Sequence, residues 1–184
     1  MANYSKEILQ NNVFNLLRYS GITYEQFANI LEISLRKLKY VKNGESEFSI
    51  ADVSKIAIFF DKSFAEITTK KIEVDRNFRN ELLNIHRKNV EYRKILEDRP
   101  SIPYAIEFIL VFDPEFENSE LEVKQILQVF RKYGWEYRSP SVSKELKKMK
   151  SLILSKPHHQ KKGTNLYSKA ILQQNVLNIT ASSK

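Results

Sequence analysis

The chain has 184 residues, 42% hydrophobic and 28% charged, with a formal net charge of +8 and a pI near 9.5. That composition excludes wholesale disorder and suits two small domains. With no cysteine there are no disulfides or thiolate metal sites, and no apolar run is long enough to span a membrane. The opening residues, MANYSKEILQNN, lack a basic stretch followed by an apolar core, so a secretory signal is not expected and a cytoplasmic location is. The excess of base favours an anionic partner, nucleic acid before membrane.

Residues 1–20 predict a helix whose Val13, Phe14, Leu16 and Leu17 pack inward, with Gly21 as its stop. Thr23 then offers a cap for a short helix with Phe27, Ala28 and Leu31 inward, ending near Glu32. Ile33 is expected to close a tight turn as a buried residue. Ser34 caps a second helix, Leu35 to Val41, which Asn43-Gly44 ends. At about 100° per residue, Leu38 and Val41 fall on one side of this helix, and Arg36, Tyr40 and Asn43 fall on the other, with Lys39 beside them. An apolar inner face and a basic outer face on a short helix set against a partner suit the width of a DNA major groove.

These residues resemble the lambda-repressor-like (Cro/C1, Xre type) helix-turn-helix domain over roughly residues 11–70. The marks are Thr23, Phe27-Ala28, Ile33-Ser34, Leu38, Val41 and Asn43-Gly44. The stretch from Ser49 to Ile67 is similar to that family's fourth and fifth helices, with Ile50, Val53, Ile56, Ala57 and Phe60 inward. The resemblance implies a five-helix bundle over residues 1–70 that reads DNA bases through Arg36, Lys39 and Tyr40. It also implies that Thr23, Tyr24, Lys37, Lys42 and Asn43 hold phosphates, and that two copies pair as a homodimer on double-stranded DNA. Three positions depart from the family's usual residues. Tyr24 stands where Gln is common, Glu32 where a small residue or Gly is common, and Lys42 where Glu is common.

Residues 71–99 contain no Gly or Pro and alternate in charge, which predicts one linker helix of about 40 Å. Phe78, Leu82, Ile85, Asn89, Tyr92 and Leu96 recur on it at heptad spacing. The stripe reads either as a short dimer seam registered by Asn89 or as a face packed on the chain's own domains. His86 falls on the polar side of this helix, without a special role. Pro100 and Pro103 mark the boundary with a domain over residues 100–184.

That domain reads as mostly helical, so the whole chain is expected to be mainly α. The apolar run from Tyr104 to Phe112 is a core element, read as helix although periodicity does not separate helix from buried strand. Ser119 is the expected cap of a helix from Glu120 to Phe130, with Val123, Ile126, Leu127 and Phe130 inward. Val142, Leu146 and Met149 face inward on a further helix. Its Lys144, Lys147 and Lys148, with Lys161 and Lys162 of a basic loop, read as a second DNA-facing surface. Helix, Leu152-Ile153-Leu154, loop and Asn165-Leu166-Tyr167 together are similar to a winged helix with a small β wing. The alternative is a solvated lysine face followed by a basic surface loop. The last residues, 179–184, are expected to fray.

Residues 101–122 hold six acids and no bases, whereas 123–184 hold thirteen bases and two acids. No phosphate loop, nucleophile motif or Cys/His pairing is present, so no enzyme, catalytic residue, cofactor or metal is expected. Adjacent His158 and His159 are expected to point apart in an extended loop. Asp113, Glu115 and Glu117 read as a solvated acidic turn. The functional expectation is a sequence-specific transcriptional regulator. The competing reading is a protein-interaction module, such as an antitoxin or mobile-element accessory factor, that uses the acidic Asp113 to Glu122 segment.

Overall fold

A computed structural model describes residues 5–170. It is mainly helical with one small antiparallel sheet, and it divides into two compact units, Met1–Ser101 and Ile102–Lys184. The expectation of fraying at 179–184 lies outside the described residues.

In the first unit α1 (Lys6–Ser20) is capped by Ser5 and ends where Gly21 takes φ 71°, a left-handed conformation that costs glycine little. It is followed by α2 (Tyr24–Leu31), α3 (Leu35–Lys42), α4 (Ile50–Phe60) and α5 (Phe64–Thr69). Ser or Thr caps each of these four helices from the residue before it, and α2, α4 and α5 carry a full capping box. Leu16, Phe27, Leu38, Ile56, Phe59 and Phe60 are fully buried and pack into one core. Ile33 is only half-buried against that core. Ile50 does not face inward as its period predicts. It is the first residue of α4 and 79% exposed, because a helix buried on one side turns its first residue outward when Asp52 and Val53 face in.

The long linker helix over 71–99 is absent. Instead α6 (Phe78–Ile85) and α7 (Val90–Glu97) are separate short helices, broken at His86 to Asn89. The break has a local cause, since the Asn89 side chain accepts from the backbone N–H of Tyr92 at 3.1 Å and so starts a new helix. It also has a tertiary one. His86 is buried, stacked on Phe59 with ring centres 5.6 Å apart, and its Nε2 lies 2.7 Å from the Phe59 carbonyl. Phe78, Leu82 and Leu96 therefore join the core of the first unit, which extends to Ser101, and form no dimer seam. Buried Arg79 fastens this arrangement, donating to the carbonyls of Ser20, Leu96 and Asp98 at 2.5, 2.5 and 2.7 Å. The Asn12 amide fastens the chain after α5, donating to the Ile67 and Lys70 carbonyls and accepting from Ile72 N–H.

The second unit begins with α8 (Ile102–Tyr104), which continues through a π-helical turn, Ala105–Ile109, and a 3₁₀ turn, Leu110–Phe112. The apolar run is thus helical, as read. After α9 (Pro114–Asn118) comes a two-residue strand, β1 (Leu121–Glu122), where a helix capped by Ser119 was expected. Leu121 and Glu122 pair instead with Tyr167 and Leu166, so α10 (Val123–Arg131) starts three residues later than expected. Then follow α11 (Ser139–Lys148), β2 (Ile153–Pro157) and β3 (Asn165–Lys169). The sheet order is β1-β3-β2, antiparallel throughout, with Ser155 opposite Tyr167. Buried Ile106, Phe116, Ile126, Phe130, Leu146 and Tyr167 form its core.

Candidate nucleic-acid interface

The α2–α3 pair is built from local capping and one shared apolar seam. Thr23 accepts from Gln26 N–H at 3.1 Å while the Gln26 side chain accepts from Thr23 N–H at 2.8 Å, closing the start of α2. Its end turns at Glu32, which sits at φ 57°, a left-handed conformation where a side chain is disfavoured. Lys55 braces that turn from α4, donating to the Leu31 carbonyl at 3.3 Å and to the Glu32 carboxylate at 2.5 Å. Ser34 then caps α3, and the inner side of α3 is fixed by Leu38 and Val41, both buried.

On the outer side of α3 the sequence-predicted reading residues come together. Arg36 Nε donates to the Tyr40 hydroxyl at 2.7 Å, and its guanidinium lies 5.2 Å from the centre of the Tyr40 ring. Lys39 is exposed next to them. A guanidinium held by its Nε keeps its two terminal nitrogens for a planar acceptor pair such as the O6/N7 edge of guanine.

The five residues expected at phosphates divide differently. Thr23 is engaged in its cap. The Tyr24 ring stacks on Phe14 at 6.1 Å and the Lys42 ammonium lies over it at 4.8 Å, so Tyr24 and Lys42 form one cation–aromatic unit at the helix ends. The Asn43 amide donates to Glu45. Lys37 turns away to Asp52, 2.7 Å distant.

Burial works to raise the Asp52 carboxyl, but hydrogen bonds from Lys37 and from the backbone and side chain of Ser49 outweigh it and hold Asp52 below its ordinary 3.8. It therefore stays ionised and keeps Lys37 in place. The sequence carried the Ser49-to-Asp52 capping spacing, yet no local signal connected Asp52 to Lys37, fifteen positions away.

In the second unit α11 buries Val142 and Leu146 and exposes Lys144, Lys147 and Lys148, with Lys148 paired to Glu145 at 2.7 Å. The helix is tied to the sheet by Ser143 and Tyr167, whose hydroxyls are 2.9 Å apart. The loop between β2 and β3 carries His158, His159, Lys161 and Lys162. The two imidazoles do not point apart. Their rings stack with centres 4.8 Å apart, because Gln160 N–H donates to His158 Nδ1 and curls the loop back.

In the acidic segment Glu115 and Glu117 are exposed as read, but Asp113 is buried. Asp113 caps α9, Glu117 pairs with Lys169 at 2.7 Å, Glu120 with Lys156 at 2.6 Å, and Glu122 with Lys161. The hydrogen bond from Lys161 is the main reason the Glu122 carboxyl lies below its ordinary range. Of the five lysines expected at a second surface, Lys161 and Lys148 are thus engaged within the chain, whereas Lys144, Lys147 and Lys162 stand exposed. Among the described residues no three His, Asp or Glu gather as a metal-ligand set, and no helix is long and apolar enough to cross a membrane. No family model matches the chain, and comparison with curated proteins and with solved structures gives no match.

Proposed function

We propose that the chain is a sequence-specific DNA-binding transcriptional regulator whose first unit is a lambda-repressor-like (Xre type) bundle that reads a half-site through α3. The observation that carries this reading is the outer face of α3. Arg36, Lys39 and Tyr40 are exposed together on a helix whose inner face is fully committed to the core. Arg36 and Lys39 address base edges and Tyr40 holds the guanidinium in plane. The Lys42–Tyr24 pair lies on the phosphate backbone, and Lys37 positions α3 through Asp52.

The second unit, on this reading, is a winged helix that adds a further DNA contact. Its chain order supports this: β1, α10, α11, β2, loop, β3, with β3 central, puts an exposed lysine helix beside a hairpin. Two copies act together, since one short reading helix specifies few base pairs. Exposed Ile58, Ile85 and Val90 of the first unit supply apolar surface for that association.

Selection from a random duplex library tests the proposal, using the full chain beside Arg36→Ala and Lys144→Ala/Lys147→Ala. A single enriched motif lost in the first variant assigns reading to α3, and a bipartite motif reduced to one half in the second assigns the other half to α11. No enrichment with the full chain at low or high salt removes the regulator reading.

A further inference from the structure

The turn joining α10 to α11 is aromatic and basic together: Arg131, Lys132, Tyr133, Gly134, Trp135, Glu136, Tyr137, Arg138. It is also held firmly. Tyr133 and Trp135 both donate their backbone N–H to the Phe130 carbonyl, at 3.0 and 3.2 Å, and Gly134 N–H donates to Arg131. Gly134 takes φ 75°, a conformation that lets the chain reverse between the two rings. The rings of Tyr133 and Trp135 consequently stack, with centres 5.1 Å apart and planes 24° from parallel. Trp135 is half-buried against the core, next to Phe130, which Tyr137 meets edge-on at 5.3 Å. Tyr133 rests on the indole and keeps 52% of its surface in water.

A rigid, half-exposed aromatic ring backed by a second ring is a poor way to close a turn, because its apolar surface stays in solvent. It suits another flat apolar ring that arrives with a negative charge attached. Arg131 and Arg138 are both exposed at the two ends of this turn, while Lys132 leans toward Asp113 and Glu115 at 3.5 and 3.9 Å. Bases inside a duplex are stacked on each other and offer no face to a protein ring, whereas an unpaired base offers both.

We propose that this turn is a binding site for single-stranded DNA, with one unpaired base stacked on Tyr133 and the flanking phosphates held by Arg131 and Arg138. The site is separate from α3 and does not depend on duplex reading by either unit. Base stacking on an aromatic ring carries little sequence preference, so the site is sequence-tolerant.

The chain's single tryptophan lies under the site, which makes occupancy directly visible. The probe is a labelled thymidine oligonucleotide about twelve nucleotides long, which has no pairing of its own, beside a duplex of matched length. Anisotropy gives affinity and Trp135 emission gives location. The oligonucleotide should bind the full chain and quench Trp135. Tyr133→Ala should weaken it about tenfold, Tyr133→Phe should bind as the parent does, and Arg131→Gln with Arg138→Gln should flatten the salt dependence. Binding without quenching, or equal affinity in Tyr133→Ala, overturns the assignment, as does failure of the single strand to bind at all. The intact fold of Tyr133→Ala is checked by its melting temperature, and Tyr133→Phe separates loss of the ring from loss of the hydroxyl. Duplex binding through α3 is left unchanged by these variants, so the two proposals fail independently.

Discussion

The Lys37 ammonium lies 2.7 Å from the Asp52 carboxylate, joining α3 to the first turn of α4. Asp52 also accepts from Ser49 N–H at 2.8 Å, so one buried carboxylate completes the capping box of α4 and anchors the helix in front of it. This is how α3 keeps a fixed pitch while its outer side chains stay exposed.

Replacing Asp52 with Ala leaves the Ser49 cap but removes the reciprocal half of the capping box and the ion pair together, and is expected to lower the unfolding free energy by about 1–2 kcal/mol in urea titration. Lys37→Met leaves the cap intact and should cost less than about 1 kcal/mol, because Lys37 is partly exposed. The pH dependence has a definite sign. Asp52 lies below 3.8 when folded, so its contribution is complete above 3.8 and is lost as pH falls through the folded value. Parent and Asp52→Ala should therefore differ at neutral pH and converge in stability at the acid end of that window. An equal difference at every pH would show that the carboxylate is not the group responsible.

Arg36→Ala is expected to weaken binding to a selected site by about 1–3 kcal/mol and to leave affinity for random duplex nearly unchanged. Tyr40→Phe keeps the ring but removes the acceptor of the Arg36 Nε hydrogen bond, and should cost a smaller part of the same preference. Competition between selected and random duplex measures both. An unaltered preference in Arg36→Ala would take Arg36 out of base reading.

Glu120→Gln with Glu122→Gln releases Lys156 and Lys161 from their partners. If the hairpin faces phosphate, the double variant should bind duplex DNA more tightly and steepen the slope of log affinity on log salt by about 1–2 units. Salt titration of both proteins decides this, and identical slopes would remove the hairpin from the DNA surface.

A fragment ending at Lys70 lacks Phe78, Leu82, Leu96 and Arg79, all buried parts of the first unit's core. It should unfold cooperatively at a much lower temperature than a fragment ending at Ser101, or fail to fold, as circular dichroism would report. Within the full chain, Arg79→Met leaves three carbonyls without their donor and should cost about 1.5–3 kcal/mol in urea titration.

Most of what the sequence alone determined lies within four residues of itself. Thr23 and Ser34 announce two helix starts, and each caps where it was read, because a cap joins a side chain to a backbone N–H two or three residues on. The two faces of α3 follow equally from its 3.6-residue period. The tertiary structure alone decided which of two periodic interpretations holds. Spacing over 71–99 fits one long helix, but burying Phe78, Leu82 and His86 in the first unit together with Leu96 requires a bend, and Asn89 supplies the new start. The same is true of charge. Lys37, Lys55 and Lys161 are indistinguishable in sequence from Lys39, Lys144 and Lys162. Only the fold brings the first three to Asp52, Glu32 and Glu122, from fifteen, twenty-three and thirty-nine positions away, since ion pairing over such separations is set by packing and leaves no local pattern.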